Sequence, residues 1–380
     1  MKIMLSAGET SGDLHGARLA AEFRRQMPDI ELVGFGGERM EEQGVRLWKT
    51  FNSYNLMGVW EVLRNLRRVW KLMEELTDHM KREKPDLLVI IDYPDFNFRL
   101  AKRAKKLGIP VFSFIPPSAW AWRRGRAKDY GKVMDRIVPI FPFEMKPYEE
   151  AGANVSFLGN PLVDIVETEL STEEAKGFFG IGEEPIVLLM PGSRHQEIQR
   201  IFPTMLDAAK LLLEARPETR FYLPVADGIE ESELRDRIGP SEVPVTLVYE
   251  HRYELMGLAD AAMATSGTVL VEAALMNLPC VILYRMGNLN YFIGKHLVKV
   301  KYIGLPNILL GRGAQTELLQ EDANPGRVAE ETLRLYRGEA HREAVMEALE
   351  EVRRRLGGPG ATERIVGQMI ELARSNGGRA

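Results

Sequence analysis

The stretch LVIIDYPDFN, residues 88 to 97, ends a greasy run in two carboxylates, Asp92 and Asp95, held apart by Tyr93 and Pro94. No histidine or cysteine stands near them in the chain, so the pair does not read as a metal site. A carboxylate at the mouth of a buried strand can take a proton from a hydroxyl, or it can cap the helix that follows. Both uses are open for Asp95, which opens the helical pattern FNFRLAKRAKKL.

Two further loops sit at strand–helix junctions, and their charges are opposite. The first strand, KIMLS, runs into AGETSGDLHGA. Gly8, Gly12 and Gly16 are spaced by four, which fails the G-x-G-x-x-G pattern of a dinucleotide site. Glu9 and Asp13 would repel a phosphate there, so the loop suits hydroxyl or amide groups, as on a sugar. Asp13 also fits the cap of the following helix. His15 lies inside that helix pattern and reads as a structural histidine.

The second loop, IVLLMPGSRHQEI, carries Gly192, Ser193 and Arg194, with no acid until Glu197. Glycine allows close backbone approach and a helix N-terminus adds partial positive charge, which together suit a phosphate. A capped helix with a solvated arginine is the other reading. AAMATSGTVLVEAAL repeats the geometry: Ser266, Gly267 and Thr268 turn the chain, and Glu272 follows one helical turn on. An acid there can accept hydrogen bonds from ribose hydroxyls. Its apolar neighbours argue against an idle surface charge.

The elements that must position these loops follow from patterning. Short apolar runs alternate with longer helical patterns, which predicts βαβ units and parallel sheets. The 380 residues suit two domains. We place residues 1–165 in an N-terminal domain and 166–354 in a C-terminal one, with the last helix, about 355–380, packing back on the first. A nucleotide half and a carboxylate-lined acceptor half suggest group transfer.

Apolar residues make up 45% and charged residues 27%, the balance of a globular chain. The net charge of −4 argues against a globally basic nucleic-acid binder. The lone Cys280, in LPCVIL, reads as core. No signal peptide and no apolar run long enough to span a bilayer is evident, so the expected location is cytoplasmic, with any membrane contact peripheral.

Residues 57 to 76, MGVWEVLRNLRRVWKLMEEL, recur apolar at helical spacing beside basic residues. Trp60, Leu63, Arg67 and Trp70 suit the surface of an anionic bilayer. A helix packed on the sheet explains the same pattern.

The motifs AGETSGD, YPDFN, PSAWAW, LGNP, MPGSR with Glu197, SGTVLVE, YRM and LPNILL occur in order from residue 7 to 310. Together they resemble those of the lipid-A-disaccharide synthases, glycosyltransferases of GT-B architecture. The resemblance implies two Rossmann-like domains facing across a cleft. It implies that UDP-2,3-diacylglucosamine donates its sugar to 2,3-diacylglucosamine 1-phosphate with inversion, at the cytoplasmic face of the inner membrane.

Direct displacement needs a base and charge stabilisation on the leaving diphosphate, and the resemblance implies no metal or other cofactor. On it we take Asp95 as the base. Glu9 and Asp13 assist, and Ser11, Trp120 and Trp122 meet the acceptor; core packing serves the tryptophans equally well. Arg285 and Asn307 join Gly192, Ser193, Arg194, Glu197, Ser266, Gly267, Thr268 and Glu272 around UDP. A homodimer is compatible with all of this, and the oligomeric state stays open. The rival readings are a UDP-sugar 2-epimerase of the same fold and a non-catalytic nucleotide-binding protein at a membrane.

Overall fold

The computed structural model describes residues 1–51, 66–120, 125–226, 228–285, 301–337 and 339–377. The chain divides into two compact units, Met1–Pro161 with Gly358–Ala380, and Leu162–Gly357.

In the first unit the order is β1 (Lys2–Ala7), α1 (Thr10–Gln26), β2 (Glu31–Gly36), α2 (Glu38–Glu42), β3 (Arg46–Thr50) and α3 (Leu66–Glu83). Then come β4 (Leu87–Ile91), α4 (Pro94–Lys106), β5 (Val111–Phe114), α5 (Gly125–Gly131), β6 (Arg136–Val138) and α6 (Met145–Glu150). The strands form one sheet in the order β3-β2-β1-β4-β5-β6, every pair parallel. Parallel strands need helical crossovers, and these cover both faces, so strands such as LLVII are apolar throughout. Met4, Leu88, Ile90 and Val111 point into a core shared with α3 and α4. Ile3, Leu5, Val89 and Phe112 point into the opposite core.

The second unit runs α7 (Thr172–Phe179), β7 (Ile186–Met190), α8 (His195–Ala215), β8 (Arg220–Pro224), α9 (Glu231–Ser241), β9 (Val245–Val248) and α10 (Arg252–Leu258). It continues through β10 (Ala261–Thr265), α11 (Val269–Leu275), β11 (Cys280–Tyr284), α12 (Leu305–Leu310), β12 (Glu317–Leu319), α13 (Pro325–Leu333) and α14 (Ala340–Leu356). Its sheet is β12-β11-β10-β7-β8-β9, again parallel. Counted from its own first strand, this repeats the strand order of the first unit. Ser171 begins α7 with a reciprocal capping box to Glu174.

The final helix, α15 (Ala361–Gly377), belongs to the first unit. Ile365, Val366, Met369, Ile370 and Ala373 enter the core beneath β1 and β4. Side chains buried to this degree contribute roughly 1.5–3 kcal/mol each for the larger aliphatics. Arg364 ties the turn before the helix to the Leu158 carbonyl at 2.9 Å. Among the described residues no helix is long and apolar enough to cross a membrane.

Candidate active site

In sheets of this order, ligands gather beyond the carboxyl ends of the strands, where the strand order reverses. In the first unit that point lies between β1 and β4. Asn97, fully buried on the first turn-and-a-half of α4, clamps it. Its amide nitrogen donates to the carbonyls of Ser6, Ile91 and Asp92, and its oxygen accepts the Ser6 hydroxyl at 2.7 Å. The clamp holds Asp92 and Tyr93 in the left-handed region at φ 46° and 49°. Such residues cost roughly 1–3 kcal/mol each and persist where surrounding structure imposes them. Gly8 lets Tyr93 close over the β1 loop, since a Cβ there would lie 2.2 Å from the Tyr93 ring.

The outcome is a cavity of about 300 Å³ walled by Asp92, Pro94, Ile115, Pro116, Pro117, Ser118, Arg126, Ile140, Phe141 and Glu144. Ile115 is a third residue at positive φ, 56°. Burial first, and the Glu9 carboxylate second, push the Asp92 carboxyl up to about 6. Glu9 stands at the N-cap position of α1 without a side-chain capping bond, and it accepts the Ser11 hydroxyl at 2.8 Å. Burial likewise pushes Glu144 up to about 7, offset in part by backbone hydrogen bonds at Phe141 and Ile140 and by the Trp120 indole. That indole nitrogen is buried without a well-aligned partner. The Trp120 ring meets Phe143 edge-on at 4.9 Å.

The structure thus brings Glu9, Ser11 and Trp120 to this end of the sheet around Asp92, which the sequence reading does not place in the site, and it redistributes other expectations. Asp95, expected as the base, is the outward carboxylate of the pair and does not line the cavity. Its side chain is 80% exposed and Arg126 engages one of its oxygens. Asp13 does not cap its own helix and does not line the cavity. It is 3% exposed and accepts the backbone N–H groups of Gly37, Arg39 and Met40. It therefore caps α2, and its lone pairs are spent on that junction. His15 sits edge-on to Phe114 at 5.8 Å, and burial pulls it down to about 4, so it is neutral and structural. Arg126 and Glu144 line the cavity without belonging to any of the sequence motifs. The signal for Glu144 was FPFE, an acid among aromatics just beyond the strand RIVPI.

In the second unit, β7 leads through Gly192 and Ser193 to Arg194, the N-cap position of α8. Gly192 has φ 111°, and a Cβ there would meet Glu197 Oε2 at 2.4 Å. Glu197 folds back over the loop and pairs with Arg194 at 2.8 Å, leaving the arginine side chain 81% exposed. The parallel loop after β10 presents Gly267 and an exposed Thr268, while the Ser266 hydroxyl donates to the Ile303 carbonyl at 2.8 Å. Glu272 is partly buried, accepts the Tyr253 hydroxyl at 3.2 Å and faces Arg252 at 3.5 Å. Arg252 in turn lies 4.8 Å over the Tyr253 ring. Tyr253 and Arg252 lie outside the sequence motifs and reach Glu272 only through the fold.

Two proposed nucleotide contacts are already occupied within the chain. Asn307 is fully buried; its nitrogen donates to Gln315 and Glu317, and its oxygen accepts from the amides of Ala314 and Gln315. Arg285 donates to the carbonyls of Gln320 and Ala323. Both residues brace the turn around β12 through these bonds.

On α3, Val69, Leu72, Met73, Leu76 and Met80 face the core, so sheet packing accounts for the apolar stripe there. Arg67 is exposed and Trp70 is 47% exposed, with the Arg99 and Arg103 guanidinium carbons 5.6 and 5.9 Å from its ring centre. Trp60, Leu63 and Trp122 lie outside the described residues. Among the described residues no group of three or more His, Cys, Asp or Glu side chains could hold a metal ion.

Residues 3–362 match the family model described as lipid-A-disaccharide synthetase. The chain is 40% identical over 376 residues to the lipid-A-disaccharide synthase of Syntrophus aciditrophicus, covering 98% of each. It is 39% identical to that of Geobacter sulfurreducens, covering 98% of this chain and 97% of the relative. The chain belongs to the lipid-A-disaccharide synthase family. It is a hexosyltransferase of lipid A biosynthesis, built on the GT-B fold.

Solved structures confirm the fold alone. UDP-GlcNAc 2-epimerase from Neisseria meningitidis, bound to UDP-GlcNAc, superposes with TM-score 0.67 at 14% identity, covering 98% of this chain and 100% of that one. MurG from Acinetobacter baumannii gives 0.63 at 15%, covering 97% and 99%. The synthase relatives, at near 40% identity across their whole length, disfavour the epimerase reading.

Proposed function

We propose that this lipid-A-disaccharide synthase family member joins UDP-2,3-diacylglucosamine to 2,3-diacylglucosamine 1-phosphate with inversion, and that Asp92 is its general base. The observation that carries the assignment is the cavity at the β1–β4 reversal, in which a carboxylate with a pKa near 6 is held by an internal clamp. A base is most effective when its pKa lies near the working pH. Asp95 lies outward and is engaged by Arg126, so it serves to hold that arginine at the cavity wall.

In this scheme the first unit takes the acceptor sugar. Glu9 and Ser11 orient its hydroxyls, and Trp120 shapes the wall. Asp92 removes the proton of the 6-hydroxyl as that oxygen attacks the anomeric carbon. The bond from that carbon to the diphosphate breaks, and UDP departs with the electron pair. The second unit takes the nucleotide. Arg194 and the N-terminus of α8 meet the diphosphate charge, the Ser266–Thr268 loop contributes amides and hydroxyls, and Glu272 meets the ribose. No metal or cofactor is required by the scheme. The exposed Arg67 and Trp70 surface supports peripheral contact with an anionic membrane, which we place at the cytoplasmic face of the inner membrane.

The test is a UDP-release assay on the purified protein with UDP-diacylglucosamine, with and without diacylglucosamine 1-phosphate. Release that depends on acceptor is expected. Conversion of the UDP-sugar in the absence of acceptor would replace this reading with an isomerase.

A further inference from the structure

Glu144 takes no part in that scheme, yet it lines the same cavity as Asp92. It sits in the tight turn Pro142–Glu144 beyond β6, with 7% exposure. Asp92 faces it from the end of β4, Trp120 from the loop after β5, Arg126 from α5 and Tyr148 from α6, with Tyr130 behind. The donors around it have other partners. Arg126 engages Asp95. The Tyr148 hydroxyl donates to the Pro117 carbonyl at 2.7 Å, and the Tyr130 hydroxyl to the Pro94 carbonyl at 3.0 Å.

What reaches Glu144 are backbone groups at Ile140 and Phe141 and the Trp120 indole, against burial and the nearby Asp92 charge. A carboxyl so placed opens onto the cavity as its most buried acid. Neutral, it is a hydrogen-bond donor; ionised, it is a second negative charge beside Asp92.

We propose that Glu144 is a specificity-determining residue for the acceptor: its protonated carboxyl donates a hydrogen bond to an oxygen of the sugar in the cavity, and its ionised form repels an anionic acceptor. The proposal rests on the acceptor reading of this cavity and on Asp92 as base. It assigns the two acids opposite protonation states in the productive complex, Asp92 ionised and Glu144 neutral. Burial and the neighbouring charge hold Glu144 near 7, the higher of the two, which is the order required.

The experiment is the pH dependence of kcat/KM for the acceptor in the unmodified enzyme, Glu144→Gln and Glu144→Asp. The unmodified enzyme should give a narrow bell, with the alkaline limb near 7 carried by acceptor KM and not by kcat. Glu144→Gln cannot ionise, so its alkaline limb should flatten. One and a half pH units above 7, about one unmodified molecule in thirty keeps the proton, so at pH 8.5 the Gln variant should exceed the unmodified enzyme by about tenfold or more. Glu144→Asp keeps an ionising group and should keep a limb.

A Gln variant with an unchanged alkaline limb overturns the proposal. So does an acceptor KM that is flat with pH in the unmodified enzyme, a result that does not depend on any variant folding. If Asp92→Asn stays active, it is the base assignment that fails, which separates the two ideas.

Discussion

Asp92→Asn should remove most of the activity and, at the same time, stabilise the first unit. Asn is close to isosteric and leaves the backbone carbonyl that accepts from Asn97 in place. The rate loss follows from the role: a positioned general base contributes roughly 10²–10⁴-fold. The stability gain follows from the environment. The folded carboxyl is raised from an ordinary 3.8 to about 6 by burial and by Glu9. Between those values the folded chain binds more protons than the unfolded one, so its stability falls as pH rises through that window, and the penalty is complete above about 6. At roughly 1.4 kcal/mol per pH unit this comes to about 3 kcal/mol at pH 8, and to nothing below pH 4.

The assays are acceptor-dependent UDP release, and denaturant unfolding of the variant and the unmodified protein at pH 4 and pH 8. With two units, the transitions must be assigned before any free energy is taken from them. Turnover within tenfold of the unmodified enzyme would refute Asp92 as base. A stability change of the same size at both pH values would refute the account of its raised pKa.

Asp13→Ala should destabilise the first unit by about 1–3 kcal/mol, because three backbone N–H groups at the start of α2 lose their acceptor. A lower melting temperature with near-normal kcat in the folded fraction is expected; lost turnover with unchanged melting would return Asp13 to the chemistry. Arg194→Ala should weaken UDP binding about tenfold or more by calorimetry, with no change in melting, because the side chain is exposed and pairs with Glu197 on its own helix. Unchanged UDP affinity would remove Arg194 from the nucleotide site.

The alternation of strand and helix was legible because both faces of each sheet are buried, which writes near-continuous apolar runs into the strands. The Gly192 loop was legible because its conformation admits little else: positive φ and the close approach of Glu197 act together. What escaped the sequence was burial decided by distant chain. Read locally, Asp95 after Pro94 looks like the more available carboxylate. Asp92 gains its environment from the loops after β5 and β6, which no spacing within YPDFN encodes. Asp13 looked like a cap for the helix that carries it, yet its partners lie beyond β2. Asn307 matched a motif, but its side-chain amide is taken up by groups around β12, and Arg285 bonds carbonyls there, a use that local sequence does not distinguish from ligand binding.

The same backbone plan serves epimerases and transferases at 11–16% identity, so the sheet order cannot by itself choose the chemistry. The choice falls to side chains at the strand ends and to how firmly they are held. Here the Ser6–Asn97 bond ties β1 to α4 across the reversal, and the same Asn97 amide accounts for the carbonyls of Ile91 and Asp92. With those groups satisfied inside the clamp, the Asp92 backbone can remain at φ 46° while its side chain joins the cavity wall. A looser junction would let the aspartate relax toward water, where its pKa would fall and its strength as a base with it. The strain at the mouth of β4 is therefore tied to the raised pKa. The rigidity that sustains both is supplied by a residue that titrates nothing and need touch no substrate.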